Sequence, residues 1–119
     1  MQTSPLELIQ RHFITYNAKN VIGLLATYGH DAEHFILHGE RLARGYEELR
    51  ASFLAMFADP NWSARLLSRT VSGNVVVDVE SITRNFPEGI GTVEMLCIYE
   101  VECGLIQKVS FAFGEKRIY

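Results

Sequence analysis

Histidines supply most of the acid–base chemistry that this sequence could perform near neutral pH, and three of the four lie between residues 30 and 38. The segment His30-Asp31-Ala32-Glu33-His34 matches the H-x-x-E-H pattern of some zinc peptidases. That pattern needs a helix, whereas Gly29 ends the preceding helical pattern and residues 35–37 continue as a strand. On a strand His30 and His34 would lie ~13 Å apart, too far to share one metal ion. We therefore predict no metal site and no cofactor.

The same strand places His34, Ile36 and His38 on one face, because side chains alternate along a strand. His38 comes directly before Gly39, which predicts a position at the rim of any cavity on that face. A histidine there could act as a general base. The alternative is a surface histidine, or one that is hydrogen-bonded at the rim without a role in chemistry.

His12 and Tyr16 are one helical turn apart on the apolar stripe of the first predicted helix. They could orient a ligand oxygen at the bottom of a pocket. The alternative is a core tyrosine beside a histidine that is hydrogen-bonded to a backbone carbonyl group.

These side chains must be positioned by an α+β fold, in which a curved antiparallel sheet packs against three N-terminal helices. Ser4, Pro5 and Glu7 form a capping box at the first helix start. Periodicity predicts helices over 5–17, 20–28 and 46–58, and strands over 33–38, 64–71, 75–84, 92–102 and 105–113. We expect a single domain over residues 1–119.

Alternation on the last three strands favours the odd-numbered residues as the face toward the helices, because those residues are the more apolar. Val77 and Val79 would then point inward, and Asp78 and Glu80 outward. The expected ligand-binding wall consists of His34, Ile36, Phe53, Met95, Cys97, Tyr99, Phe111 and Phe113. Cys97 is better explained as a small buried apolar residue than as a nucleophile. Trp62 could cover the mouth of the pocket or pack on the sheet.

Composition excludes several functions and partners. The net charge is −3 and basic residues do not cluster, so nucleic-acid binding is not expected. There is no apolar run long enough for a membrane span and no signal-peptide pattern, so we expect a cytoplasmic protein with free Cys97 and Cys103 thiols.

The outer face of the sheet, formed by the even-numbered residues, mixes apolar and charged side chains. Such a face favours a homodimer in which the two copies meet through this surface.

Four short motifs resemble the ketosteroid isomerase-like and SnoaL-like branch of the nuclear transport factor 2-like superfamily. They are Arg11-His12-Phe13, Gly23–Tyr28, Gly45–Arg50 and Phe113-Gly114-Glu115-Lys116. The resemblance covers nearly the whole chain and implies a cone-shaped, cystatin-like fold around an apolar pocket that binds a small hydrophobic molecule.

The resemblance also shows which catalytic groups differ. Isomerases of this family use an Asp as the general base. A Tyr and a protonated Asp donate hydrogen bonds to the enolate oxygen. The Tyr position falls on His12, the base position on Ile36 and the oxyanion Asp near Cys97. We therefore expect ordinary ketosteroid isomerisation to be absent or very weak.

Two functions are compatible with these residues. The first is an isomerase-, cyclase- or dehydratase-like enzyme acting on a small carbonyl compound without metal. His38 or His34 would be its base, and His12, Tyr16 or Tyr99 would polarise the oxygen. The alternative is a non-catalytic ligand-binding or dimerisation domain that keeps the cone but has lost the acids.

Overall fold

The computed structural model describes residues 3–119 and has the predicted α+β class, with helices packed on one side of a six-stranded sheet. In chain order the elements are α1 (Pro5–Asn17), α2 (Val21–Leu25), β1 (Tyr28–Ile36), β2 (Arg41–Arg44), α3 (Gly45–Phe57), β3 (Ser63–Ser72), β4 (Val75–Phe86), β5 (Gly89–Glu102) and β6 (Leu105–Ile118). Within this range no helix is both long and apolar enough to cross a membrane.

Helix α1 begins as the capping box predicts. The Ser4 hydroxyl accepts a hydrogen bond from the Glu7 backbone N–H at 3.2 Å and donates to the Glu7 carboxylate at 2.9 Å. The buried side of the helix carries His12 and Tyr16. The cap therefore fixes the start of the element that holds two candidate site residues.

The sheet has strand order β2-β1-β6-β5-β4-β3 and is mixed rather than wholly antiparallel, because β1 and β6 run parallel. The prediction was therefore wrong at that pair. Residues 41–44, expected in a loop, form strand β2 and pair with β1. Helix α2 is also shorter than predicted. The chain turns into β1 at Tyr28, where Ile106 N–H donates to the Thr27 carbonyl at 2.9 Å.

The inward face of β4 was predicted wrongly. In the antiparallel pair, Asp78 faces Cys97 and Glu80 faces Met95, so each even-numbered residue of β4 pairs with an odd-numbered residue of β5. Paired residues share a face of the sheet. The odd-numbered face of β5 is indeed buried, and consequently Asp78 and Glu80 point inward rather than Val77 and Val79.

Candidate functional site

A cavity of about 210 Å³ lies between the helices and the inner face of the sheet. Most of its wall is aromatic or aliphatic. The ionisable or hydrogen-bonding groups that interrupt this wall are His12, Tyr16, His34, Ser52, Trp62, Glu80, Arg84 and Tyr99. A small apolar pocket with a few convergent polar groups is the usual form of a ligand site.

Most of the residues predicted to form the site do lie together in this cavity. They are His12, Tyr16, His34, Phe53, Met95, Tyr99, Phe111 and Phe113. Phe113 is 58% exposed, so it lies at the opening rather than in the interior. Trp62, whose position the sequence left open, also lines the cavity, and its indole N–H donates to the Tyr16 hydroxyl.

Three predicted residues lie elsewhere. Strand β1 ends at Ile36, so the alternation does not extend to His38, which is exposed in the following turn with φ 56°. Ile36 and His38 border a shallow groove that also contains Lys108 and Ser110. Cys97 is fully buried beside the cavity wall, where burial raises the pKa of its thiol well above the usual value.

Glu80 is the principal site residue that the sequence did not identify. It is 3% exposed and lines the cavity from the middle of β4. Burial is the main cause that raises the pKa of its carboxyl group to about 7, and the neighbouring Asp78 carboxylate adds to this effect. Within residues 3–119, no donor hydrogen-bonds to this group and offsets the shift. Glu80 can therefore gain or release a proton near neutral pH.

A buried ion pair lies beside Glu80. The Arg69 Nε donates to one Asp78 oxygen at 2.7 Å and the Nη2 donates to the other at 2.9 Å, while the Nη1 donates to the Gln10 side chain at 2.7 Å. Asp78 is fully buried, so this bidentate contact is what compensates its charge. Arg69 also lowers the pKa of Glu80, but less than burial and Asp78 raise it.

His12 and His34, which both line the cavity, are joined by the hydroxyl group of Tyr28 behind its wall. The Nε2 atoms of His12 and His34 lie 2.8 and 2.9 Å from the same Tyr28 hydroxyl oxygen, and all three residues are buried. Burial is the main cause that lowers the pKa of His12 to about 3 and that of His34 to about 4. Both imidazoles are thus neutral near pH 7. They are weak bases because their pKa values are low, but each neutral ring can still donate one hydrogen bond and accept another.

Arg84 lies close to Trp62 and Phe86. Its guanidinium carbon lies 5.0 Å from the centroid of the Trp62 ring and 4.8 Å from that of Phe86, which are cation–π distances. The Arg84 Nε is buried and has no hydrogen-bond partner among residues 3–119. Arg84 thus brings a guanidinium group to a wall that is mostly aromatic or aliphatic.

Comparisons with solved structures identify the fold. The chain superposes on an uncharacterised cystatin-fold protein from Novosphingobium aromaticivorans with a TM-score of 0.86 and 24% identity, over 92% of this chain and 98% of that one. It superposes on a candidate polyketide cyclase from Pseudomonas putida with a TM-score of 0.76 and 20% identity, over 94% and 92% of the two chains. It superposes on a candidate ketosteroid isomerase from Kribbella flavida with a TM-score of 0.78 and 16% identity, over 91% of this chain and 76% of that one.

These likenesses establish the class of fold. The chain has the nuclear transport factor 2-like, cystatin-type α+β fold, as its sequence motifs implied. Searches by sequence found no matching family model and no matching curated protein. Function must therefore be argued from the cavity itself.

Proposed function

We propose that this protein is an acid–base enzyme of the isomerase or cyclase type, which acts on a small, mostly apolar carbonyl compound. The observation that carries the proposal is Glu80, a carboxyl group buried in an apolar cavity with a pKa of about 7. A general base works best when its pKa is close to the working pH. The likeness in fold to candidate isomerases and cyclases is consistent with this chemistry.

The proposed step begins with the ionised Glu80. Its carboxylate removes a proton from the carbon next to the substrate carbonyl group, so a C–H bond breaks and an O–H bond forms on Glu80. The electron pair moves into the substrate and gives an enolate. Returning the proton to a different carbon of the conjugated enolate isomerises the substrate. Alternatively, the enolate carbon attacks a second carbonyl group and closes a ring, and the protonated Glu80 returns its proton to the resulting alkoxide oxygen.

The enolate oxygen needs hydrogen-bond donors that stay protonated. Tyr99 and Tyr16 line the cavity, and burial raises the pKa of each hydroxyl above its usual value, so both remain protonated donors. His12 lies edge-on to Tyr99 with ring centroids 5.1 Å apart. These groups would polarise the substrate oxygen, as the sequence suggested, but the base would be Glu80 rather than His38 or His34.

Hydrogen–deuterium exchange of 2-tetralone, a small bicyclic ketone, tests the proposal. We expect the protein to catalyse exchange of the hydrogens next to the carbonyl group, with a rate that rises with pH and is half-maximal near pH 7. Glu80→Gln should lower the catalysed rate about 100-fold or more, since general-base catalysis contributes on the order of 10²–10⁴-fold. Exchange is followed by proton NMR in deuterated buffer.

Glu94→Gln is the matched control, because Glu94 is exposed on the outer face of β5. It should exchange 2-tetralone at the wild-type rate. If 2-tetralone raises the melting temperature of the wild-type protein but is not exchanged, the enzyme proposal is wrong and the non-catalytic ligand-binding alternative is favoured.

We also propose that the protein forms a homodimer through the outer face of the sheet. The interface residues differ from those expected from the even-numbered positions, because Val76, Ile82 and Ile106 are buried within the protomer. Pairing places Val77 and Val79 on the outer face, opposite Ile98 and Leu96, and Leu96 pairs with Ala112 of β6. A partly apolar face of this kind fits an isologous contact.

Light scattering at low micromolar concentration should give the mass of a dimer. Leu96→Glu should give a monomer, because it would place two carboxylates in the apolar centre of the interface. Leu54→Glu, at an exposed position of α3, should remain dimeric. A wild-type mass of one protomer would disprove the proposed dimer.

A further inference from the structure

The guanidinium group of Arg84 lines the cavity and has no acidic partner in the described part of the chain. Arg84 belongs to none of the ion pairs between side chains of residues 3–119. Within the same range its Nε is buried without a hydrogen-bond partner, whereas its two Nη atoms, which also lack one, are not buried. A guanidinium group has five N–H donors and no acceptor. The Nη edge of Arg84 therefore offers donors to a molecule in the cavity.

Two aromatic rings hold this group in place. The Arg84 guanidinium lies over the rings of Trp62 and Phe86. Such cation–π contacts position the charge but leave the N–H groups without an acceptor. The Trp62 indole N–H in turn donates to the Tyr16 hydroxyl, which ties the ring to helix α1. Arg84 is thus positioned before a ligand arrives, which reduces the entropy that binding would cost.

The Asp59 carboxylate is near Arg84, but other groups occupy its oxygens. A hydrogen bond from the Asn85 backbone is the main cause that lowers the pKa of Asp59, and the charge of Arg84 is a smaller cause. The Asp59 Oδ2 accepts from the Asn85 N–H at 2.7 Å, and the Oδ1 accepts from the Asn85 Nδ2 and the Asn61 N–H at 2.9 Å each. Asp59 therefore attracts Arg84 without forming an ion pair with it.

The register of the sheet orders the cavity wall along β4. Glu80, Ile82 and Arg84 share the inner face, because side chains alternate along a strand, and all three line the cavity. On β5, Met95 pairs with Glu80 and Val93 pairs with Ile82, and both also line it. Four residues of strand separate the Cα atoms of Glu80 and Arg84 by about 13 Å. An apolar stretch of wall therefore lies between the carboxyl group and the guanidinium group.

Both of these groups face the same part of the cavity. Burial is the main cause that raises the pKa of the Tyr16 hydroxyl, while the charge of Glu80 raises it further and the charge of Arg84 lowers it. The Tyr16 hydroxyl is therefore close to both side chains. A ligand that lies across Ile82 can contact Glu80 with one end and Arg84 with the other.

We propose that the Nη edge of Arg84 binds the carboxylate of a ligand, and that the cavity takes keto acids in which an apolar ring separates this carboxylate from the reacting carbon. A carboxylate carries one negative charge and matches the fork of a guanidinium group in a two-point contact. A phosphate group, with up to two charges, would find no second lysine or arginine among the cavity-lining residues of 3–119. The carboxylate site stands on its own, whereas the position of the reacting carbon rests on the proposed function of Glu80.

The rigid keto acid 6-carboxy-2-tetralone fits the spacing of the two groups. Its reacting CH2 carbon and its carboxylate carbon lie about 6 Å apart, and contacts of about 3 Å at each end bring the total to about 12 Å. This length is close to the spacing of about 13 Å between the Cα atoms of Glu80 and Arg84. The methyl ester has the same ring system and carbonyl group without the charge, so it is the matched ligand.

Isothermal titration calorimetry at pH 6 measures the affinities for the acid and the ester. Glu80, with a pKa of about 7, is mostly protonated at this pH and does not repel the ligand carboxylate. Arg84→Met should lower the affinity for the acid relative to the ester about 10–100-fold, because a hydrogen-bonded charge pair is lost. An affinity ratio that is the same in wild type and variant would overturn the inference. Binding of the ester shows that the variant is folded, and Arg84→Gln takes its place if Arg84→Met does not fold.

Arg65→Met is the matched control, because Arg65 is an exposed arginine of β3 that does not line the cavity. It removes the same charge from the protein and thus measures the general attraction of the protein for an anion. The ratio of the two affinities should stay within about 2-fold of wild type. A loss equal to that of Arg84→Met would show that the preference comes from net charge, and would overturn the site.

Hydrogen–deuterium exchange separates this inference from the proposed function. Arg84→Met should lower kcat/KM for exchange of the acid, relative to the ester, by about the factor found for the affinities. Glu80→Gln should keep the Arg84-dependent binding of the acid but lose its exchange. Arg84-dependent binding without exchange by the wild-type protein would reject the base assigned to Glu80 and leave the carboxylate site intact. Exchange of 2-tetralone with no Arg84-dependent preference for the acid would leave Glu80 as the base and overturn the keto-acid class.

Discussion

Replacing Arg69 by methionine should lower the free energy of unfolding by about 3–5 kcal/mol, because the fully buried Asp78 carboxylate would lose its bidentate partner. The Arg69 side chain is 11% exposed, so water does not screen this ion pair effectively. The Gln10 amide, which now accepts a hydrogen bond from Arg69, would lose that partner as well. Urea unfolding at constant pH and salt measures the change.

Two further variants separate the lost ion pair from a general effect of the substitution. Arg65→Met, at an exposed position of the same strand, should change the free energy of unfolding by no more than about 0.5 kcal/mol. The double variant Arg69→Met with Asp78→Leu should recover most of the loss, since an apolar pair of similar volume can replace a buried ion pair at little cost. A loss below about 1 kcal/mol in Arg69→Met alone would show that Asp78 finds another compensation.

The residues that the sequence located correctly are those whose local pattern agrees with their tertiary environment. The capping box places α1, and the helical spacing within α1 brings His12 and Tyr16 to its buried side. On β5 the odd-numbered residues are the more apolar and are also the buried ones, so Met95 and Tyr99 were placed correctly in the cavity.

The residues that the sequence misplaced are those where the tertiary environment overrides the local pattern. On β4 valines alternate with Asp78 and Glu80, so hydrophobicity alone favours the valine face as the interior. The two carboxyl groups nevertheless face inward. Arg69 on β3 compensates the negative charge of Asp78, and the raised pKa of Glu80 lets its carboxyl group be protonated inside the cavity. A signal for this register existed in the turn, since Phe86 pairs with Gly89 across only Pro87 and Glu88. A two-residue hairpin loop pairs even-numbered with odd-numbered positions.

Tyr28 was misplaced for a different reason. The run from Val21 to Tyr28 has Thr27 as its only polar side chain, and a short, mostly apolar run is ambiguous between helix and strand. The end of α2 at Leu25 is set by tertiary pairing, since Tyr28 pairs with Ile106 of β6. Only this long-range contact brings the Tyr28 hydroxyl between His12 and His34.

Replacing Glu80 by glutamine should stabilise the protein at high pH, although we expect the same change to lower the proposed exchange activity about 100-fold or more. The unfolded chain releases the Glu80 proton near the usual pKa of 4.5, whereas the folded protein keeps it up to a pKa of about 7. Between these values the folded state binds more protons than the unfolded state, so wild-type stability falls as the pH rises through this window. The folded and unfolded pKa values of Glu80 differ by about 2.5 units. At 1.36 kcal/mol per unit, this difference lowers the free energy of unfolding at high pH by about 3 kcal/mol.

Glutamine has nearly the shape of the protonated acid but cannot ionise. The difference in unfolding free energy between Glu80→Gln and wild type should therefore be small at pH 4.5, grow through pH 6, and reach about 3 kcal/mol above pH 7. The charged groups that set this window are Asp78, which raises the pKa of Glu80, and Arg69, which lowers it. The nearby Tyr16, Cys97 and Tyr99 stay neutral across the window because their own pKa values are raised.

Urea unfolding of both proteins at pH 4.5, 6 and 8 measures this difference, and the titration of His12 and His34 cancels because both proteins contain them. The control Glu94→Gln, at an exposed position of β5, should change the free energy of unfolding by no more than about 0.5 kcal/mol. A difference for Glu80→Gln that does not change with pH would mean that Glu80 ionises in the folded protein as it does in water. In that case Glu80 would have no raised pKa and could not be a base poised near pH 7. A difference in unfolding free energy that rises with pH, as expected, would mark Glu80 as a group that lowers stability in favour of its proposed role in catalysis.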